Sequence, residues 1–336
     1  MKLSIILPVY NVEKFIADCL DSLLNQDLDK SSYEIICVDD GSPDNSYKVI
    51  EDYQKENKNI RLIRQQNGGV SAARNNGLKE SKGDYVWFID PDDYIMPNCL
   101  GTIISAMDSF NADVCTFNYK EVEENSSYSS IEESKFDFTL NKDYSSTGSC
   151  YLHVVRREYL LKHKITLNKE LGYGEDYLWS FQINYREHVG ISTSENVYFY
   201  RQRQGSAMHS GLKEKQVKHM NNMISLAKVY ESELVRCKED KLPKKTIKNI
   251  VKRKNLCVQS AILDLIRLEN DREKVKETLK QWKDFGLYPY RTMWWYLGAK
   301  ELNKNFKARA FSLLLSKRWF VLLAHKSIKK RRKEKA

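Results

Sequence analysis

Four short apolar runs alternate with helix-period segments over the first 120 residues, and this alternation constrains the fold more than any other feature of the chain. Ser4 to Val9, Tyr33 to Val38, Ile60 to Arg64 and Asp84 to Ile89 have the length and composition of buried strands. Between the first two, Ile16, Cys19, Leu20, Leu23 and Leu24 recur at the spacing of one helix face, with Asn11 placed to cap the helix. Ser42-Pro43 offers a cap and a first-turn proline to a second helix through Val49, Ile50 and Tyr53. Strand-helix-strand units of this kind build a mostly parallel sheet, and ligands of such sheets bind beyond the carboxyl ends of the strands.

Those strand ends carry the polar residues. Asp39-Asp40-Gly41-Ser42 closes the second strand, and the third leads into a turn from Gln66 to Gly77 that passes into a short helix. The fourth runs directly into Asp90-Pro91-Asp92-Asp93. Two carboxylates one residue apart can offer oxygens to one hard divalent cation that also bridges the phosphates of a nucleotide. The same four residues also suit an ordinary turn or helix cap.

Taken in order, Ile5-Ile6-Leu7-Pro8-Val9-Tyr10-Asn11, Val38-Asp39-Asp40-Gly41-Ser42, Asn67-Gly68-Gly69-Val70-Ser71-Ala72-Ala73-Arg74-Asn75 and Ile89-Asp90-Pro91-Asp92-Asp93 resemble the motifs of glycosyltransferase family two. The resemblance extends to about residue 210. It implies the GT-A fold, a Rossmann-like mixed α/β sheet flanked by helices, here followed by a helical C-terminal extension. It also implies a UDP-sugar donor and a divalent metal, Mn²⁺ or Mg²⁺. Carried over by position, Pro8, Val9 and Tyr10 would line the base, and Asp39 and Asp40 would contact base and ribose. Asn67, Gly69 and Arg74 would pack beside the nucleotide, although Arg74 and Asn75 equally suit a buried pair bracing the rim. Asp90 and Asp92 match the family's Asp-x-Asp metal motif.

Further on, Gly172-Tyr173-Gly174-Glu175-Asp176 resembles the family's acidic motif beside the acceptor pocket. Asp176 would be the base that takes a proton from the attacking hydroxyl, with Glu175 in support. Taken alone, two acids at this point also favour a helix N-terminus. The cluster Tyr200 to His209 resembles the family's arginine and serine segment, with Arg201 and Ser206 reaching the diphosphate and His209 a candidate third metal ligand.

Asp113 to Tyr119 and Asn196 to Tyr200 read as further strands, and Glu121 to Ser149 as a surface loop or weak hairpin. The expected division is a catalytic domain over 1–210, with a nucleotide-sugar half (1–120) and an acceptor half (121–210), then a basic helical region over 211–336. Charge divides at the same place: residues 1–210 carry 22 Lys+Arg against 32 Asp+Glu, and residues 211–336 carry 33 against 13. Seven cysteines without a CxxC pair read as buried thiols of a reducing compartment. No apolar run reaches the roughly 18 residues of a spanning helix.

Trp294, Trp295, Trp319 and Phe320 interleave with Lys and Arg, and a run of cations follows from Lys326. This pattern suits an anionic membrane surface better than its alternatives, packing of the aromatics onto the catalytic domain and a solvated charge run in the tail. The leading expectation is an inverting, metal-dependent hexosyltransferase. It would move a hexose or N-acetylhexosamine to a lipid-linked or growing glycan acceptor in bacterial surface-polysaccharide synthesis. It would sit in the cytoplasm, peripheral on the inner face of the membrane. The alternative is a non-catalytic nucleotide-sugar or nucleic-acid binding protein, although nucleic acid is not an expected partner.

Overall fold

The computed structural model describes residues 1–141, 149–171, 174–203, 212–239, 242–269, 271–288, 321–322 and 324. The chain divides into two compact units, Met1–Lys169 with Glu175–Ser206, and Glu170–Gly174 with Ala207–Ala336.

In the first unit β1 (Leu3–Val9), β2 (Tyr33–Asp39), β3 (Ile60–Arg64) and β4 (Tyr85–Phe88) lie parallel in the order β3-β2-β1-β4. Their connections are α1 (Ile16–Leu24), α2 (Ser46–Glu56) and α3 (Val70–Glu80). Every residue of β1 and β2 is buried, which explains why both strands read as unbroken apolar runs. Successive side chains feed opposite cores: Leu3, Ile5 and Leu7 pack with Ile16, Leu20 and Leu23 of α1, and Ile6 packs with Ile36, Val38 and Phe88.

The rest of the unit comprises β5 (Tyr94–Ile95), α4 (Leu100–Ser109), β6 (Val114–Glu123), β7 (Thr139–Asn141), β8 (His153–Arg156), α5 (Arg157–Lys162), α6 (Glu175–Asn184) and β9 (Gly190–Gln202). Strand β8 inserts antiparallel between β4 and β6, β6 runs parallel to β9, and β5 and β7 pair antiparallel with β9. A mixed sheet of nine strands results among the described residues. β9 is longer than the sequence suggests because three partner strands pair along it.

Two helix starts differ from expectation. Asn11 sits at φ 54 in the β1–α1 connection, and α1 begins only at Ile16 without a side-chain cap. α2 begins at Ser46 rather than after Ser42-Pro43, its first amide held by Asp44 at 3.1 Å. The two loops instead satisfy each other: the Val12 amide donates to Ser46 Oγ at 3.0 Å and the Glu13 amide to Asp44 at 2.9 Å. Long-range partners have replaced the local caps.

Helix α3 lies close on the sheet because Gly77 has no side chain. A Cβ there would fall 2.4 Å from Ile6 Cγ2 and 3.3 Å from Val38 Cγ2. In an exposed helix Gly→Ala gains up to about 1 kcal/mol, whereas overpacking a core costs about 1–3 kcal/mol. Overlap with a β-branched residue decides the sign, so Gly77→Ala is expected to lower the unfolding free energy by about 1 kcal/mol net, seen as a lower urea midpoint. An unchanged or raised midpoint would show that α3 can retreat from the sheet at no cost.

The second unit is helical in its described part, with α7 (Leu212–Glu239), α8 (Lys244–Leu268) and α9 (Arg272–Asp284). Tyr230, Leu234, Cys237, Ile250, Val258 and Ile262 are buried there. Polar ties are His219 Nδ1 to Asp264 at 2.6 Å and Lys254 to Glu231 at 2.5 Å. All seven cysteines are free and buried. No described helix is long and apolar enough to cross a membrane. Trp294, Trp295, Trp319, Phe320 and the cations from Lys326 lie outside the described residues.

Candidate active site

The carboxyl ends of β1, β2 and β4 converge on one rim. Pro8 and Val9 are buried within β1, and Tyr10 beyond them is 48% exposed. The Asp40 amide donates to the Val9 carbonyl at 2.9 Å and so ties the two strand ends together. Asp39 accepts from the Ser42 amide at 3.2 Å and from Arg64 Nε at 3.2 Å, and the Arg64 guanidinium lies 3.9 Å from the Tyr47 ring centre. Asp40 holds the next loop. It accepts from Gln65 Nε2 at 2.7 Å, from the Gly68 amide at 2.9 Å and from the Gly69 amide at 2.8 Å. Asn67 is exposed on that loop. Gly69 precedes α3 with φ 85, and no atom lies within 4 Å of a Cβ built there, so backbone conformation rather than crowding calls for glycine.

Past β4 the chain turns at Asp90-Pro91-Asp92-Asp93, where the Asp93 amide donates to the Asp90 carbonyl at 3.1 Å. Each carboxylate faces a different partner. Asp90 accepts from Arg74 Nη2 at 2.6 Å, and Asp92 pairs with Arg203 Nε at 2.7 Å. Asp93 is buried, accepting from the Tyr198 hydroxyl at 2.5 Å and the Arg201 amide at 2.8 Å. Burial, followed by the charge of Asp90, raises Asp92 above the usual carboxylate range. Asp93 is pushed well above it by burial and by the charges of Asp92 and Asp90. Three carboxylates in four residues therefore resist ionising together, and added positive charge would relieve their repulsion.

Arg74 spans the site. Its buried guanidinium reaches Asp90 on one side and Glu175 Oε1, at 3.4 Å, on the other. Glu175 opens α6; burial first and Asp176 next raise its pKa, while Arg74 opposes them. Asp176 beside it is partly exposed, and its Oδ1 accepts from the Tyr177 amide at 2.8 Å. Asn75 exchanges two hydrogen bonds with the Leu167 backbone, at 2.8 and 2.9 Å. Helix α6 is itself fixed to the sheet by His153, whose ring nitrogens lie 2.9 Å from Ser180 Oγ and 3.0 Å from Thr116 Oγ1. Burial, with a smaller effect of His188, pushes His153 down to about 3, so it sits there neutral.

The turn, Arg74, Glu175 and Asp176 are thus brought together, whereas Arg201 is engaged elsewhere. Its guanidinium pairs with Asp18 of α1 and lies over Phe15 and Tyr94, 5.2 and 5.0 Å from their ring centres. Arg203, two residues on, is the arginine at the acidic turn. Ser206 and His209 lie outside the described residues. Among the described residues no cluster of three or more His, Cys, Asp or Glu side chains is arranged to hold a metal ion. The sequence reading missed Asp18, Asp93, Tyr198 and Arg203. Asp93 carried a signal as a third acid in the same turn and Arg203 as part of the Tyr200 to His209 cluster, whereas Asp18 and Tyr198 act through partners distant in sequence.

Residues 4–161 match the profile of Glycosyl transferase family 2. The chain is 33% identical over 216 residues to the uncharacterized glycosyltransferase EpsJ of Bacillus subtilis, covering 60% of this chain and 62% of the relative. It is 30% identical over 213 residues to the poly(ribitol-phosphate) beta-N-acetylglucosaminyltransferase TarS of Staphylococcus aureus, covering 62% of this chain and 37% of the relative. These matches span less than two thirds of either relative. The crystal structure of TarS 1–349 in complex with UDP-GlcNAc superposes with a TM-score of 0.65 at 20% identity, covering 99% of this chain and 92% of that one. A mannosyltransferase from Pyrobaculum calidifontis, in complex with GDP-Man and Mn²⁺, superposes at 0.54 with 13% identity over 97% and 86%. Both likenesses concern the fold, which is GT-A.

Proposed function

Because this chain belongs to glycosyl transferase family 2, we propose that it is an inverting transferase. It moves a hexose or N-acetylhexosamine from a UDP-sugar to a lipid-linked or growing glycan in bacterial surface-polymer synthesis. One observation carries this reading: a single buried guanidinium, Arg74, binds the donor-side carboxylate Asp90 and the acceptor-side carboxylate Glu175. A fold that merely bound nucleotide would have no use for an acidic pair on the acceptor side registered to the donor turn.

Asp90 and Asp92 fit a divalent cation. Their side chains are 25% and 18% exposed, adjacent on one turn, and raised in proton affinity at Asp92 by burial and mutual repulsion. Two carboxylates leave the remaining positions to phosphate and water. A bound Mn²⁺ or Mg²⁺ would stabilise the charge that grows on the departing diphosphate. Tyr10, Asp39, Asp40, Asn67 and Gly69 border the place for base and ribose. Arg203 is better placed than Arg201 to meet the diphosphate, since it pairs with Asp92 in the acidic turn and is 27% exposed, whereas Arg201 is 6% exposed and paired with Asp18. Ser206 and His209 keep the roles that the family resemblance gives them.

On the acceptor side, Asp176 takes the proton of the attacking hydroxyl, and Glu175, held by Arg74, orients it. Attack from the face opposite the diphosphate inverts the anomeric centre. Residues 1–210 make the catalytic domain in this reading. Screening nucleotide sugars for metal-dependent donor hydrolysis tests it without an acceptor. Hydrolysis of a UDP-sugar is expected, and none with any nucleotide sugar would remove the transferase reading.

Residues 211–336 in this reading carry the enzyme to the inner face of the cytoplasmic membrane. The motivation is the 33 Lys+Arg against 13 Asp+Glu and the aromatics among them. Each cation near an anionic surface contributes about 1 kcal/mol, so attachment should be reversible and salt-sensitive. Sedimentation with anionic vesicles should show binding that weakens with added salt; equal binding to neutral vesicles, or none, would return this region to packing.

A further inference from the structure

Four tyrosines run outward from the acidic turn. Tyr198 is fixed at its inner end, because its hydroxyl donates to Asp93 at 2.5 Å and accepts from the Asp90 amide at 3.2 Å. Tyr151 stacks on Tyr198 with ring centres 4.4 Å apart and planes 16° apart. Tyr200 lies 6.1 Å from Tyr151 at 20°, and Tyr119 stands edge-on to both, at 6.2 and 6.3 Å. Trp87 Nε1 donates to the Tyr151 carbonyl at 2.8 Å and so fixes that ring's backbone. Tyr198 is fully buried, Tyr151 and Tyr200 are partly exposed, and Tyr119 is 42% exposed.

Aromatic side chains that serve only packing bury their rings, whereas this cluster starts at the reacting rim and opens to solvent. It also lies in the second half of the sheet, on β6, β9 and the segment before β8, away from the ends of β1 and β2 where the donor base would sit. Its surroundings are acidic in its outer part, while at the inner end Asp90 and Asp92 pair with Arg74 and Arg203. Asp90, Asp92 and Asp93 flank the inner end, and Glu121, which is in register with Tyr200, is followed by Glu123 and Glu124. Burial and the three aspartates push the Tyr200 phenol up to about 12, so it stays a neutral hydrogen-bond donor. Such a surface offers ring faces and neutral hydroxyls and repels anions.

We propose that Tyr119, Tyr151 and Tyr200 form the acceptor's stacking surface and that its ligand is a neutral pyranoside rather than a phosphate-bearing polyol chain. The apolar C–H face of a pyranose lies on a ring face, and its hydroxyls reach the phenols. An acyclic polyol presents no such face, and its phosphates would meet the carboxylates. This assignment rests on the transferase reading for the word acceptor, but the pyranoside site itself does not.

Saturation-transfer NMR on the whole chain with methyl β-D-glucopyranoside tests it, with sorbitol and glycerol 3-phosphate as controls. The pyranoside is expected to receive saturation, strongest at its ring C–H protons, and the controls little. In Tyr119→Ala and in Tyr200→Ala the transfer should fall about 2- to 10-fold, while Tyr119→Phe retains it, since one aromatic contact contributes about 0.5–1.5 kcal/mol. Circular dichroism melts confirm that each variant is folded. Unchanged transfer in both alanine variants, or equal transfer to the pyranoside and either control, overturns the proposal. Tyrosine-dependent transfer with no nucleotide sugar hydrolysed would uphold the pyranoside site and refute the transferase instead.

Discussion

Asp176→Asn is expected to lower sugar transfer by about 10² or more while leaving UDP affinity close to that of the parent. The carboxylate acts on the acceptor proton in the transition state, so its loss falls on turnover rather than on donor binding. Asp176 stands at the start of α6, partly exposed, while its neighbour Glu175 is buried against Arg74. Buried against Arg74, Glu175 is less accessible to an acceptor hydroxyl than the partly exposed Asp176, and this separates the two acids that the sequence presents side by side. Glu175→Gln should therefore affect stability and acceptor KM more than Asp176→Asn does. Wild-type turnover in Asp176→Asn would move the base elsewhere.

Arg74→Met should cost the fold on the order of 3 kcal/mol, one of the largest effects of any single substitution in the first unit. Arg74 is buried and faces two carboxylates, and removing it leaves both negative charges in place without their cation. Breaking a buried pair in this way costs about 3–5 kcal/mol. Asp90 retains some contact with water, which draws the expectation to the lower end. The double variant Arg74→Met with Glu175→Gln should recover part of the loss, since one unpaired charge then disappears. Urea titration reads both. A loss below about 0.5 kcal/mol for Arg74→Met, the level of an ordinary surface change, would mean that water replaces the guanidinium and that the bridge is not structural.

β1 and β2 were legible because burial on both faces makes such strands largely apolar, and the partly buried edge strand β3 also falls on Ile60–Arg64 as read. The other half of the sheet was not. Insertion of β8 between β4 and β6, and the length of β9, depend on pairing between residues some 40 to 105 positions apart, which no local pattern encodes. Helix starts failed for a related reason: Asn11 and Ser42 look like caps in isolation, but the two loops bond each other. At the site, the acidic residues were legible by motif, yet their division of labour was not. The sequence leaves Arg74 open between ligand contact and brace, and only the fold shows its guanidinium 2.6 and 3.4 Å from Asp90 and Glu175. The pairing of Arg201 with Asp18 could not be read from the sequence, because the two lie 183 residues apart.

Donor binding at the acidic turn is the central claim, and calorimetric titration of UDP into the whole chain, with Mn²⁺ and then with chelator, tests it most directly. UDP should bind much more tightly with the metal, and Asp90→Ala and Asp92→Ala should each abolish the difference. Equal UDP affinity with metal and with chelator in the parent chain would refute a metal-bridged donor site at Asp90 and Asp92.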